Sequence, residues 1–147
     1  MKLKSAGGQD FQTRAVFLTG MTDMGNELIH FYPEIQLSES TNHDICLKSM
    51  PMACEDGDML VTHIGELQAV CVTRLIPSFE KNSFKDKTYA SLGLLIAKET
   101  NPIPYYKMIQ KILKKFESKG NLTKDMLVKI VPALYDVINK KFQPECS

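Results

Sequence analysis

Residues 88–142 read TYASLGLLIAKETNPIPYYKMIQKILKKFESKGNLTKDMLVKIVPALYDVINKKF and carry the strongest structural signals of the chain. The segment Thr88–Ala97 is almost continuously apolar, which predicts a strand buried on both faces at the centre of a sheet. Asn101 and Pro102 predict a helix start, with Asn101 as the cap and Pro102 at the first helical position. That helix is amphipathic, and it is expected to end at Gly120.

A second amphipathic helix follows the first. Thr123 is expected to cap its start, and its apolar positions then recur at helical spacing. Pro132 interrupts this pattern. Because proline lacks an N–H group and collides with the carbonyl one turn earlier, we expect a kink or a break there.

The preceding half of the chain predicts four more strands and one short helix. The strands are Arg14–Gly20, Glu27–Tyr32, Met59–Ile64 and Leu67–Ile76, and the helix lies within Ser38–Met50. Turn residues between the strands predict two hairpins. The fold class is therefore α+β, with a five-stranded, mostly antiparallel sheet, one short helix and two long C-terminal helices. Residues 1–10 are expected to form a flexible tail, and residues 11–147 a single domain.

The composition is that of an ordinary globular protein. Of 147 residues, 44% are hydrophobic and 24% charged, and the formal net charge is +1. No global field favours nucleic acid. The first residues lack the apolar centre of a secretory signal, and the four cysteines lack a secreted-domain spacing, so we expect a cytoplasmic protein with reduced thiols and no cofactor.

Two motifs resemble those of the longin fold, and most closely the N-terminal longin module of DENN-family proteins. The first is the apolar strand Tyr89–Lys98, which leads through Asn101-Pro102 into a helix. The second is the hairpin Arg14–Tyr32, which ends in Phe31-Tyr32-Pro33. Because the sequence ends at Ser147, before the larger C-terminal domain of DENN proteins, we expect no nucleotide-exchange activity from it.

The resemblance implies a non-enzymatic interaction module in small-GTPase regulation or membrane trafficking. Its partner would be a small GTPase, another longin or roadblock-type subunit, or a second copy in a homodimer, with at most peripheral contact with endomembranes. Some longin pairs stimulate GTP hydrolysis with an arginine in the loop before the strand that corresponds to Tyr89–Ala97. Here Lys81–Lys87 contains no arginine, and lysine offers only a point charge. Arg74 is the remaining candidate, and its alternative role is that of a surface strand residue.

Basic side chains supply the predicted partner-binding residues, which are Arg74, Lys85, Lys87, Lys107, Lys111 and Lys114. The lysines at 107, 111, 114, 115 and 119 fall on the outer side of the first long helix. They are expected to form a solvated face, and the alternative is binding to anionic lipid or an acidic partner.

A different class of function would use the region around His43, Cys46, Cys54 and His63. These residue types are zinc ligands, and a thiol beside an imidazole is the arrangement of cysteine nucleophiles. Their spacing lacks the paired knuckle of zinc sites, and no catalytic signature surrounds either cysteine. An enzyme or metal-binding protein is thus the alternative to the interaction module.

Overall fold

One antiparallel sheet of five strands organises the molecule, in a computed structural model that describes residues 15–50, 54–79 and 86–141. The elements along the chain are β1 (Ala15–Thr22), β2 (Gly25–Tyr32), α1 (Glu39–Lys48), β3 (Met59–Ile64), β4 (Leu67–Pro77), β5 (Lys87–Ala97), α2 (Ile103–Glu117) and α3 (Lys124–Lys141). Their spatial order in the sheet is β2-β1-β5-β4-β3. The predicted α+β class is confirmed.

The central position of β5 is also confirmed. This strand pairs with β1 on one side and with β4 on the other, and Ala90–Ile96 are all buried. Successive side chains of a strand point to opposite faces, so a central strand covered on both sides must be apolar throughout. That requirement explains the long apolar run in the sequence.

Helices cover both faces of the sheet. On one face, Leu92, Leu94 and Ile96 of β5 pack in one cluster with buried residues of α2 and α3. On the other face, Ile45 of α1 packs in a second cluster with Phe17. α2 contacts β4, whereas α3 contacts β1 and β2. The molecule therefore has three layers, with two long helices on one side and one short helix on the other.

Gln68 ties the sheet to the helical layer. This residue lies near the start of β4 and is 4% exposed. Its side-chain amide donates hydrogen bonds to the carbonyl oxygens of Ala97, Lys98 and Thr100, in the turn that connects β5 to α2. A buried amide group is costly unless it is bonded, and here it bonds to carbonyl groups at the end of β5 and in the turn that follows.

The predicted helix ends need correction by a few residues. The short helix is narrower than Ser38–Met50, because Ser38 is its cap and accepts a bond from the Thr41 N–H. α2 begins at Ile103 rather than at Pro102, which occupies the cap position, and the Asn101 side chain accepts a bond from the Ile103 N–H. α2 ends at Glu117 and so stops before Gly120.

The last helix starts as predicted but does not break. Thr123 accepts a hydrogen bond from the Met126 N–H, so it caps α3. The helix continues through Pro132 to Lys141. Of the predicted kink or break, the break was wrong, and the kink stays a prediction. Val131 and Leu134, on either side of the proline, are both buried in the core, and this packing outweighs one lost backbone bond.

Two sequence-based predictions lie outside the described residues, namely the tail at 1–10 and the start of the first strand at Arg14. In the described part of the chain, no helix combines the length and the apolar character needed to cross a membrane.

Candidate functional site

Arg74 joins three separate parts of the fold. It lies near the end of β4, and its Nε donates to Asp56, 3.0 Å away, while its Nη2 donates to Glu117, 2.8 Å away at the end of α2. The arginine side chain is 18% exposed, and both carboxylates are about half exposed. The guanidinium is thus held on two sides by carboxylates of its own chain. This contact, which we call the Arg74 bridge, favours the structural alternative for Arg74.

The turn that holds Asp56 is bonded to the sheet by its backbone. The Gly57 N–H donates to the Thr73 carbonyl, and the Thr73 N–H donates to the Asp58 carbonyl. Asp56 also accepts the Leu75 N–H at 2.8 Å. Main-chain hydrogen bonds therefore hold Asp56 in position independently of its ion pair with Arg74. Sequence reasoning missed the pairing of this aspartate with Arg74, although its Asp-Gly-Asp context marks a turn whose first carboxylate can bond neighbouring N–H groups.

The predicted lysines are only partly brought together. Lys107, Lys111 and Lys114 lie with Lys115 on the exposed side of α2, and we call these four residues the lysine face. No described carboxylate lies within ion-pairing distance of them. Lys87 is exposed at the first residue of β5, opposite Pro77, and so is not part of the row on α2. Lys85 is outside the described residues.

Charge is segregated between two parts of the molecule. The chain from Ala15 to Leu47 contains five carboxylates and neither lysine nor arginine, and it forms β1, β2 and all of α1 except its last residue, Lys48. The acidic residues are Asp23, Glu27, Glu34, Glu39 and Asp44. α2 instead carries four lysines and one glutamate, and it lies on the opposite face of the sheet from α1. The net charge of +1 thus does not reveal that α2 is basic and that residues 15–47 are acidic.

An open groove of about 410 Å³ lies between β2 and α1. Its lining residues are mostly polar: Asn26, Glu27, Leu28, Glu39, Asn42, His43 and Cys46. The Asn26 amide fixes the wall of this groove by donating to the Cys46 carbonyl at 2.7 Å. We refer to it as the α1 groove. It is the part of the structure that contains two residues of the predicted enzyme or metal region.

The four residues of that region do not assemble into one site. His43 and Cys46 line the α1 groove, Cys54 precedes the turn at Asp56, and His63 lies on β3 at the sheet edge. In residues 15–50, 54–79 and 86–141, no three His, Cys, Asp or Glu side chains are grouped closely enough to hold a metal ion. The spacing of these four residues in the sequence lacks a zinc knuckle, and the fold does not bring them together into a zinc site either.

The three cysteines in the described part of the chain are poor nucleophiles. Burial raises the pKa of Cys46 and of Cys54 above the ordinary value of 9.0. Burial also raises the pKa of Cys71 to about 12, because this thiol is packed in the sheet under α1. The thiolate is the reactive form, and all three groups stay protonated at neutral pH. Cysteine catalysis gains no support from the geometry.

Among the described strands, β2 and β3 lie at the edges of the sheet, and they are not equally regular. The pairing of β2 with β1 shifts between Leu18 and Thr19, so the ladder contains a bulge. β3 instead pairs with β4 in one uninterrupted register over Met59–Ile64. Bulges discourage the addition of another strand, and a straight edge permits it. The β3 edge is therefore the better pairing surface of the two.

The outward groups of β3 can be assigned from its neighbours. The Thr73 N–H bonds to the carbonyl of Asp58, so Asp58 faces β4, and the direction alternates along the strand. Met59, Val61 and His63 therefore direct their N–H and C=O groups away from the sheet. In agreement, the His63 carbonyl accepts a bond from Lys48 of α1 at 3.1 Å. The backbone of Val61, whose side chain is 39% exposed, lies at the middle of this edge.

A scan against protein-family models finds no match to this chain, and a search of curated proteins finds none either.

Proposed function

We propose that this chain is a non-enzymatic, longin-like interaction module that acts in small-GTPase regulation or membrane trafficking. Its partner is a small GTPase, another longin or roadblock-type subunit, or a second copy of the chain. It works in the cytoplasm, with peripheral contact at endomembranes. The proposal starts from the sequence resemblance and is supported by the element order, in which two strands, a short helix, three strands and two long helices follow one another.

The observation that carries the proposal is the outer edge of β3, with which no described strand pairs. A partner strand can bond to the outward groups of Met59 and Val61 and thereby extend the sheet. The exposed Val61 side chain adds an apolar contact at the same place. Two further features favour binding over catalysis: the raised thiol pKa values, and the occupation of the Arg74 guanidinium by Asp56 and Glu117.

A substitution at Val61 tests this edge. Val61→Pro removes an outward N–H and keeps the ladder to β4, because proline is tolerated at such positions of edge strands. Val61→Thr is the matched control, since it retains the N–H group and the branched side chain. We expect the purified protein to self-associate in sedimentation equilibrium or to capture a longin subunit or a small GTPase.

Val61→Pro should weaken that association at least about tenfold, which corresponds to the loss of one or two interchain hydrogen bonds. Val61→Thr should stay within about threefold of the unmodified protein. A protein that remains monomeric and captures neither class of partner would refute the proposal. If neither variant changes the association, the interface does not include the β3 edge.

A further inference from the structure

We infer that the lysine face of α2 is a docking surface for anionic lipid bilayers, and that it orients the protein with the α1 groove turned away from the membrane. This inference goes beyond the pairing proposed above and does not depend on it. The β3 edge and the lysine face are separate surfaces, and each can fail without the other.

The first step is the geometry of the lysines. Lys107, Lys111, Lys114 and Lys115 follow each other at intervals of four, three and one residues, so they share one side of the helix. This side is opposite the buried stripe that contains Ile109 and Ile112. From the first lysine to the last, the row extends about 12 Å along the helix axis. The ammonium groups therefore form a compact row that a flat surface can reach all at once.

The second step is the apolar side chain beside that row. Ile103 lies one turn before Lys107 on the same side of α2 and is 43% exposed. The apolar face of α2 packs on the sheet, so Ile103 is the apolar group that would enter the acyl boundary while the lysines meet the headgroups. Contact with the acyl boundary would explain why Ile103, a large aliphatic residue, is exposed at this position.

The third step is the choice of a bilayer over a protein partner. A lysine ammonium is a compact charge on a flexible stem, which suits mobile lipid phosphates better than the fixed geometry of a protein carboxylate. The row also lies on the exposed side of α2. The only acidic residue of α2, Glu117, is already bonded to Arg74.

The charge segregation supplies the orientation. An anionic surface attracts α2 and repels the five carboxylates of residues 15–47, which lie on β2, on α1 and in the segments that follow β1 and β2. Both effects favour the same pose, because α1 covers the sheet face opposite α2. In this pose the α1 groove and its acidic residues face the solvent.

Vesicle co-sedimentation tests the inference. The probes are vesicles of phosphatidylcholine with about 30% phosphatidylserine, compared with vesicles of phosphatidylcholine alone, at about 50 mM salt. Each lysine near an anionic surface contributes about fivefold to partitioning. Lys107→Gln with Lys111→Gln should thus reduce binding about 25-fold. Ile103→Ser should reduce it several-fold while leaving the charge unchanged.

A net-charge control separates the row from the total charge. Gln36→Glu with Ser40→Glu lowers the net charge by the same two units at exposed positions near α1, and it should change vesicle binding by less than about threefold. Binding of the unmodified protein should disappear at about 500 mM salt or without phosphatidylserine.

Three outcomes would overturn the inference. One is that the unmodified protein fails to bind phosphatidylserine vesicles. Another is that the two double variants lose binding equally. The third is that the lysine variant abolishes self-association, or capture of an acidic protein, while vesicle binding stays unchanged. Circular dichroism checks that each variant is folded. Substitution of exposed lysines on a helix surface is expected to leave the fold intact.

Discussion

Gly93→Ala should destabilise the protein strongly, although alanine is only one carbon larger than glycine. Gly93 lies in the middle of β5, and the ring of the fully buried Phe17 covers it from β1. A Cβ atom at this position would lie 2.6 Å from Cε1 and 2.7 Å from Cε2 of that ring, and closer still to Cζ. Carbon atoms pack at about 3.5–4.0 Å, so the ring must move by about 1 Å in a full core.

Overpacking of this kind costs about 1–3 kcal/mol, and the reduced freedom of the unfolded chain returns about 0.4–1 kcal/mol. We therefore expect the unfolding free energy of Gly93→Ala to fall by about 1–2 kcal/mol in urea titration. Phe17→Leu alone should cost about 1–2 kcal/mol through lost packing. The double variant should be more stable than the sum of the two losses predicts, by about 1 kcal/mol or more. Strict additivity would refute the reasoning, because it would mean that the ring does not limit residue 93.

Three further predictions concern the core, the Arg74 bridge and the thiols. Leu94→Ala should lower the unfolding free energy by about 2–5 kcal/mol, as expected for a cavity in a central strand, and a loss below about 0.5 kcal/mol in urea titration would contradict that position. Arg74→Ala should cost about 1–2 kcal/mol by the same measurement and change a partner's GTP hydrolysis by only a few-fold; a thousand-fold loss would identify an arginine finger instead. Iodoacetamide at pH 7.5 should modify Cys46 and Cys54 more slowly than free cysteine, and Cys71 only after unfolding. Since the unfolded thiol of Cys71 ionises near 9.0 and the folded one near 12, stability should also fall as the pH rises above 9.

Local signals predicted most of the elements. The two-residue turn at Gly65-Glu66 and the helix cap at Thr123 act within a few residues, so short patterns are sufficient to find them. The course of α3 through Pro132 could not be obtained in this way. Whether a proline breaks a helix depends on how much surface the flanking residues bury elsewhere in the fold.

The surfaces were predicted less completely than the elements. The helical spacing of Lys107, Lys111 and Lys114 was enough to place them on one side of α2. The Arg74 bridge joins residues 18 and 43 positions apart, and no periodic pattern reports contacts across such distances. The contact between Phe17 and Gly93 could not be predicted from a periodic pattern either, because it depends on the register between β1 and β5.

The bonds of Gln68 have a consequence for how two copies of the chain could exchange parts. The turn between β5 and α2 is the single covalent link between the sheet and the pair of long helices, and such links act as hinges in domain swapping. Gln68 holds three carbonyl oxygens of this link against β4, so the hinge cannot open until all three bonds are lost. A swapped dimer would therefore have to give up these bonds first, so they favour the arrangement in which α2 and α3 stay with the sheet of their own chain.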